Sequence, residues 1–184
     1  MSSSLGFFAS QISGHLYTLT GSYDALATVT VPSGGASSIT FSAIPQTGYK
    51  HLQIRSMSIF INARMDITFN GDTGSNYSYH LVQGAGASAY AEGAGSTGSI
   101  RIWPNGNASS TSYPNLAIID VLDYATSTKN KTARILNGFD QNGSGIISLN
   151  SGSWYNTNAI NSITIAPNTG NFSQYSQFSL YGIK

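Results

Sequence analysis

The chain has no cysteine, so neither a disulfide framework nor a cysteine-based metal site is available to it. Charge is almost as scarce. Asp, Glu, Lys and Arg make up 8% of the 184 residues, where an ordinary soluble domain carries roughly a quarter. The eight basic residues are scattered and the net charge is +1, which is not the electrostatic footprint of a nucleic-acid binder. No apolar run approaches the ~18 residues a membrane-spanning helix needs, so no membrane partner is expected. The opening stretch MSSSLGFFASQISGHLY lacks the basic start and long apolar core of a secretion signal, which leads us to expect synthesis in the cytoplasm.

Catalytic signatures are missing as well. There is no GxSxG elbow, and His15, His51 and His80 stand far apart with no HExxH among them. The acidic residues, Asp66, Asp72, Glu92, Asp120, Asp123 and Asp140 among them, form no recognisable catalytic pair. Neither enzymatic activity nor a cofactor is expected. Residues 84–89 (GAGASA) fit the GxGxxA pattern formally, but a dinucleotide site needs a helix to follow and this stretch predicts none. Residues 70–76 (NGDTGSN) offer oxygen ligands, yet Asn, Asp and Gly are equally the ordinary residues of turns. Asn-x-Ser/Thr matches occur at Asn76, Asn107, Asn130, Asn142 and Asn171, as a Ser- and Asn-rich composition produces without any link to glycosylation.

What the sequence does contain is strand chemistry. Hydrophobic residues make up 40% and aromatic ones 11%, enough to build a core and to exclude disorder. Twenty glycines and many Ser/Asn clusters supply turns. Alternating runs fall at 25–31 (ALATVTV), 38–44 (SITFSAI), 52–61 (LQIRSMSIFI), 66–69, 77–83, 100–103, 116–122 (LAIIDVL), 131–139, 145–149, 160–165 and 177–181. The run 52–61 changes phase, since Leu52 and Ile54 are even while Met57, Ile59 and Ile61 are odd; a β-bulge near Met57 would return them to one side. The run 116–122 is the most apolar and predicts a central strand. Residues 84–99 (GAGASAYAEGAGSTGS) predict a flexible loop, Pro104 predicts the end of the strand before it, and 140–144 (DQNGS) predicts a hairpin turn. The last strand ends close to the last residue, which predicts that the sheets close around the 160–184 segment.

These patterns predict an all-β chain: a jelly-roll-like antiparallel β-sandwich of about 8–11 short strands spanning 25–184, preceded by an N-terminal extended arm over 1–24. The arm carries Leu5, Phe7, Phe8, Ile12 and Leu16, apolar enough to pack beneath its own sheet or to dock on a neighbour. Trp103, Tyr113, Trp154 and Tyr155 lie in or beside predicted loops. Their flat apolar faces with polar edges suit contact with a glycan or a protein, or else close the open ends of the sandwich.

Several segments together carry a resemblance: 27–44 (ATVTVPSGGASSITFSAI), 49–55 (YKHLQIR), 69–84 (FNGDTGSNYSYHLVQG), 119–124 (IDVLDY), 142–154 (NGSGIISLNSGSW), 160–165, 170–175 and 179–184 (SLYGIK). In these the chain resembles a family of small virion structural proteins of tailed bacteriophages, frequent in phages of cyanobacteria and marine bacteria. The resemblance implies a virion protein without catalytic residues, described variously as decoration or tail-fibre. The chain has no heptads, β-helix repeat or collagen-like triplets from which to build a stalk. The expectation is therefore a capsid decoration (cement) protein, a homotrimer contacting the major capsid protein through the arm. The alternative is a tail-fibre or baseplate tip that binds host surface glycan.

Overall fold

The computed structural model describes residues 21–60, 63–106 and 113–184, with backbone only for 63 and 103–106. Twelve strands and no helix are present among the described residues. They are β1 Tyr23–Thr30, β2 Ile39–Phe41, β3 His51–Ser58, β4 Ala63–Phe69, β5 Tyr77–Ala85, β6 Ser88–Thr97, β7 Ile100–Gly106, β8 Asn115–Leu122, β9 Lys131–Asp140, β10 Gly145–Trp154, β11 Ile163–Pro167 and β12 Gln177–Ile183. All pairings are antiparallel. An eight-stranded sheet has the order β1-β12-β3-β8-β9-β10-β5-β6, and a four-stranded sheet the order β2-β11-β4-β7. The fold is an antiparallel β-sandwich. With the hairpins β5–β6 and β9–β10 set aside, the remaining strands lie in the orders β1-β12-β3-β8 and β2-β11-β4-β7; numbered one to eight in chain order, these are 1-8-3-6 and 2-7-4-5. The two hairpins sit side by side and widen the first sheet alone.

The core forms where the alternating positions of the two sheets face each other. Leu52 and Ile54 of β3, Ile119 and Val121 of β8, and Ala133 and Ile135 of β9 meet Met65, Ile67 and Phe69 of β4, Ile100 and Ile102 of β7, and Ile163 and Ile165 of β11. Fully burying each larger aliphatic contributes about 1.5–3 kcal/mol before the entropy of ordering it is charged against it. The sheets approach closely where β7 crosses β10. A Cβ at Gly152 would stand 2.3 Å from the Ile100 side chain, so only glycine fits there. The closing segment occupies interior positions: β12 lies between β1 and β3, and β11 between β2 and β4.

Four local expectations are corrected. Residues 84–99 are not a flexible loop. The chain turns through Gly86-Ala87, with Gly86 at φ +57, and β6 pairs with β5 from Ser88 onward; a two-residue hairpin loop reserves such a position for glycine. Pairing needs only backbone groups, so the Ala/Gly/Ser monotony did not prevent it. Pro104 does not end β7, because β7 is an edge strand and the proline lies within the register shift between Ala63 and Met65 of β4. The stretch after 149 remains strand as far as Trp154. No bulge occurs near Met57, since β3 keeps continuous register with both β12 and β8. Ser56 and Ser58 face inward instead, and Met57 stays outside, 41% exposed.

Candidate functional site

Strand alternation sends every second side chain of the eight-stranded sheet away from the core, and on a solvated face those positions are expected to be polar. In the middle of this sheet they are not. Register places them in rows across the strands. One row runs Met57, Leu116, Gly138, Ile147 and Gly84, and the next runs Arg55, Ile118, Leu136, Leu149 and Val82. Ile147 is 62% exposed, Leu116 56% and Leu149 55%, with Met57, Ile118, Leu136 and Val82 also exposed. The apolar band therefore spans five adjacent strands. Over Gly138 and Gly84 it sinks into an open groove of about 880 Å³ lined by Leu116, Ile118, Leu136 and Ile147. Gly138 is obligatory there, because a Cβ would come within 2.3 Å of the Ile146 carbonyl oxygen.

The next row along the strands is polar: Gln53, Asp120, Arg134, Ser151 and His80. Gln53 Nε2 donates to Asp120 Oδ1 at 2.8 Å, and Arg55 Nε donates to Gln53 Oε1 at 2.8 Å. The Arg55 guanidinium lies 5.7 Å from the Tyr23 ring centroid and 5.3 Å from that of Tyr181, within cation–π range of both. Arg134 makes no ion pair among the described residues. At the opposite border of the band, Asp140 caps the β9–β10 turn by accepting the Asn142 N–H at Oδ1.

The other ionisable clusters are closed. Glu92 accepts the Tyr79 hydroxyl at 2.6 Å and the Tyr90 hydroxyl at 2.8 Å, while Arg101 reaches both Tyr79 and Glu92. These hydrogen bonds, Tyr79 first, hold the Glu92 carboxyl below its ordinary value. Asp66 goes the other way, since desolvation by burial outweighs the pull of the Arg64 guanidinium bonded to both its oxygens. Opposed shifts in two carboxylates are what acid–base catalysis uses, but here each carboxylate is committed to neighbours. The cluster ties β7 to the β5–β6 hairpin. Lys131 is wholly buried and donates to the carbonyls of Lys129 and Thr157, which removes a cation from the surface. His51 Nδ1 accepts the Asp123 N–H, and Asp123 is bonded to Lys129. Among the described residues no group of His, Asp and Glu is placed to hold a metal.

The sequence-predicted site residues separate. Trp154 is not a surface contact: it is 1% exposed, stacks on Tyr77 at 6.2 Å, packs on Phe69 and donates Nε1–H to Asp72 Oδ2 at 2.7 Å. Being an inward position of β10 explains the burial. Asp72 also accepts from Gly74 N and Asn76 Nδ2, so the 70–76 stretch is a turn clamped onto that ring. Tyr155, one residue on, faces outward at 58% exposure beside Ser78, and Tyr113 is also exposed. The Trp103 side chain and the arm residues Leu5, Phe7, Phe8, Ile12 and Leu16 lie outside the described side chains. Residues 84–89 form a hairpin with no helix after it, which removes the dinucleotide reading. The apolar band was missed by sequence reading. Its signal was the phase slip at Met57 together with the doubly apolar run 116–122.

Comparison with models of protein families, with curated proteins and with solved structures found no match to this chain.

Proposed function

We propose that this chain is a non-enzymatic structural protein of a tailed-bacteriophage virion, specifically a decoration (cement) protein that stabilises the head. The apolar band across the eight-stranded sheet carries this reading. Seven exposed large apolar side chains on adjacent strands form a surface suited to being covered, and soluble monomers seldom present one so large. The strand orders 1-8-3-6 and 2-7-4-5 support a jelly roll with two inserted hairpins, an architecture that viral capsid and lectin domains use. A surface with few charges favours permanent assembly over solubility by repulsion. In this reading the protein resides in the virion, and its partners are the major capsid protein and further copies of itself. The second reading, a tail-fibre or baseplate tip that binds glycan, is favoured by exposed Tyr155 at the polar end of the same face.

Copy number decides between them. Quantitative mass spectrometry of purified particles is expected to find this chain within a few fold of the major capsid protein. An abundance lower by orders of magnitude, at the level of tail components, would overturn the decoration reading.

A further inference from the structure

We propose that the apolar band is the interface of a two-fold symmetric pair of this chain, the eight-stranded sheets packed face to face. The occupant of the groove is thus the same face of a second copy. This assignment does not depend on the virion role.

The area fits. Seven Leu, Ile, Val and Met side chains at about half exposure present roughly 600 Å² of apolar surface, the top of the range for the largest patch on a monomer. With its polar border the face reaches about the 800 Å² per partner of a stable interface. The pattern is also self-complementary. A two-fold axis lying in the interface, perpendicular to the strands and between the two apolar rows, stacks each strand on its own copy in reverse direction. On β9 the outward residues run Asp140, Gly138, Leu136 and Arg134. Such an axis passes over Asn137, so Leu136 of each copy enters the hollow above Gly138 of the other. On β10 it sets Ile147 against Leu149.

The same operation carries Arg134 onto Asp140. Each stands three residues, about 10 Å, from the axis. A typical ~30° angle between packed sheets displaces them sideways by about 5 Å, which a long arginine side chain spans. Arg134 is exposed and makes no ion pair among the described residues, and Asp140 has Oδ2 beyond the oxygen that caps its turn. A two-fold pair makes this contact twice. Gln53, Asp120, Ser151 and His80 then form the polar rim of a dry centre. A three-fold assembly, the sequence-based expectation, packs unlike surfaces together and gives the self-matching of β9 no role.

The test is sedimentation velocity and light scattering on the purified full-length chain across a concentration series. The expected species has about twice the 19.4 kDa chain mass. Leu136→Gln with Ile147→Gln should weaken association at least tenfold while the far-UV circular dichroism stays unchanged, since both residues are exposed. Arg134→Glu should weaken it similarly, and adding Asp140→Lys should restore it, because each copy then offers the reversed pair. A monomer at all concentrations, a trimer, a dimer indifferent to Leu136 and Ile147, or failure of the reversed pair to rescue would each overturn the proposal.

Discussion

Trp154 illustrates how one side chain is reassigned by its surroundings. Its indole fills the space between Phe69 and Tyr77, and its N–H is satisfied by Asp72. Trp154→Ala should therefore cost about 3–5 kcal/mol of folding stability, measured by chemical denaturation, rather than remove a surface contact. Asp72 gives a pH signature. The Trp154 indole, the Gly74 N–H and the Asn76 amide hold its carboxyl below the ordinary value of 3.8. With the folded value below the unfolded one, the stability it contributes is complete above 3.8 and is lost as pH falls through the lowered folded value. Between about pH 5 and about pH 2 the wild type should lose more stability than Asp72→Asn, followed by denaturant midpoint and tryptophan fluorescence.

Among elements, β10 carries the most constraints. One face supplies Ile147 and Leu149 to the apolar band; the other supplies Ser148 and Asn150, which bond with Asn137, and then Gly152 and Trp154 to the interior. Gly152 is the point where β7 passes over the larger sheet, with Ile100 too close for any Cβ. Gly152→Val should overpack this crossing and lower stability by about 1–3 kcal/mol, read as a fall in thermal midpoint with the strand content kept. Much of the element list was legible because period-2 alternation is local: every described strand except β6 overlaps its predicted run. β6 was not legible. Its Ala, Gly and Ser side chains carry no periodic signal, and its existence follows from the open backbone edge of β5.

For the whole molecule, β1 begins at Tyr23 and every described strand pairs with another described strand. Deleting residues 1–20 should leave the β-sandwich folded, by circular dichroism and thermal denaturation, while abolishing incorporation into particles. Normal incorporation of the truncated chain would remove the docking role expected of Leu5, Phe7, Phe8, Ile12 and Leu16. The truncation removes no residue of the apolar band, so self-association should persist in it.

The sequence by itself determined that the chain is all-β, where most strands lie, and that catalytic motifs are missing. Those properties depend on residues close together in the chain. Tertiary structure decided the rest. Whether an apolar strand position faces core or solvent depends on how strands from distant parts of the chain are ordered, and period 2 alone does not say which face is covered. The four-stranded sheet packs on one face of the eight-stranded sheet, so Leu116, Ile118, Leu136, Ile147 and Leu149, each fit for a core in sequence but of the opposite strand phase, ended together on the uncovered face. Trp154, fit for a surface, ended inside it.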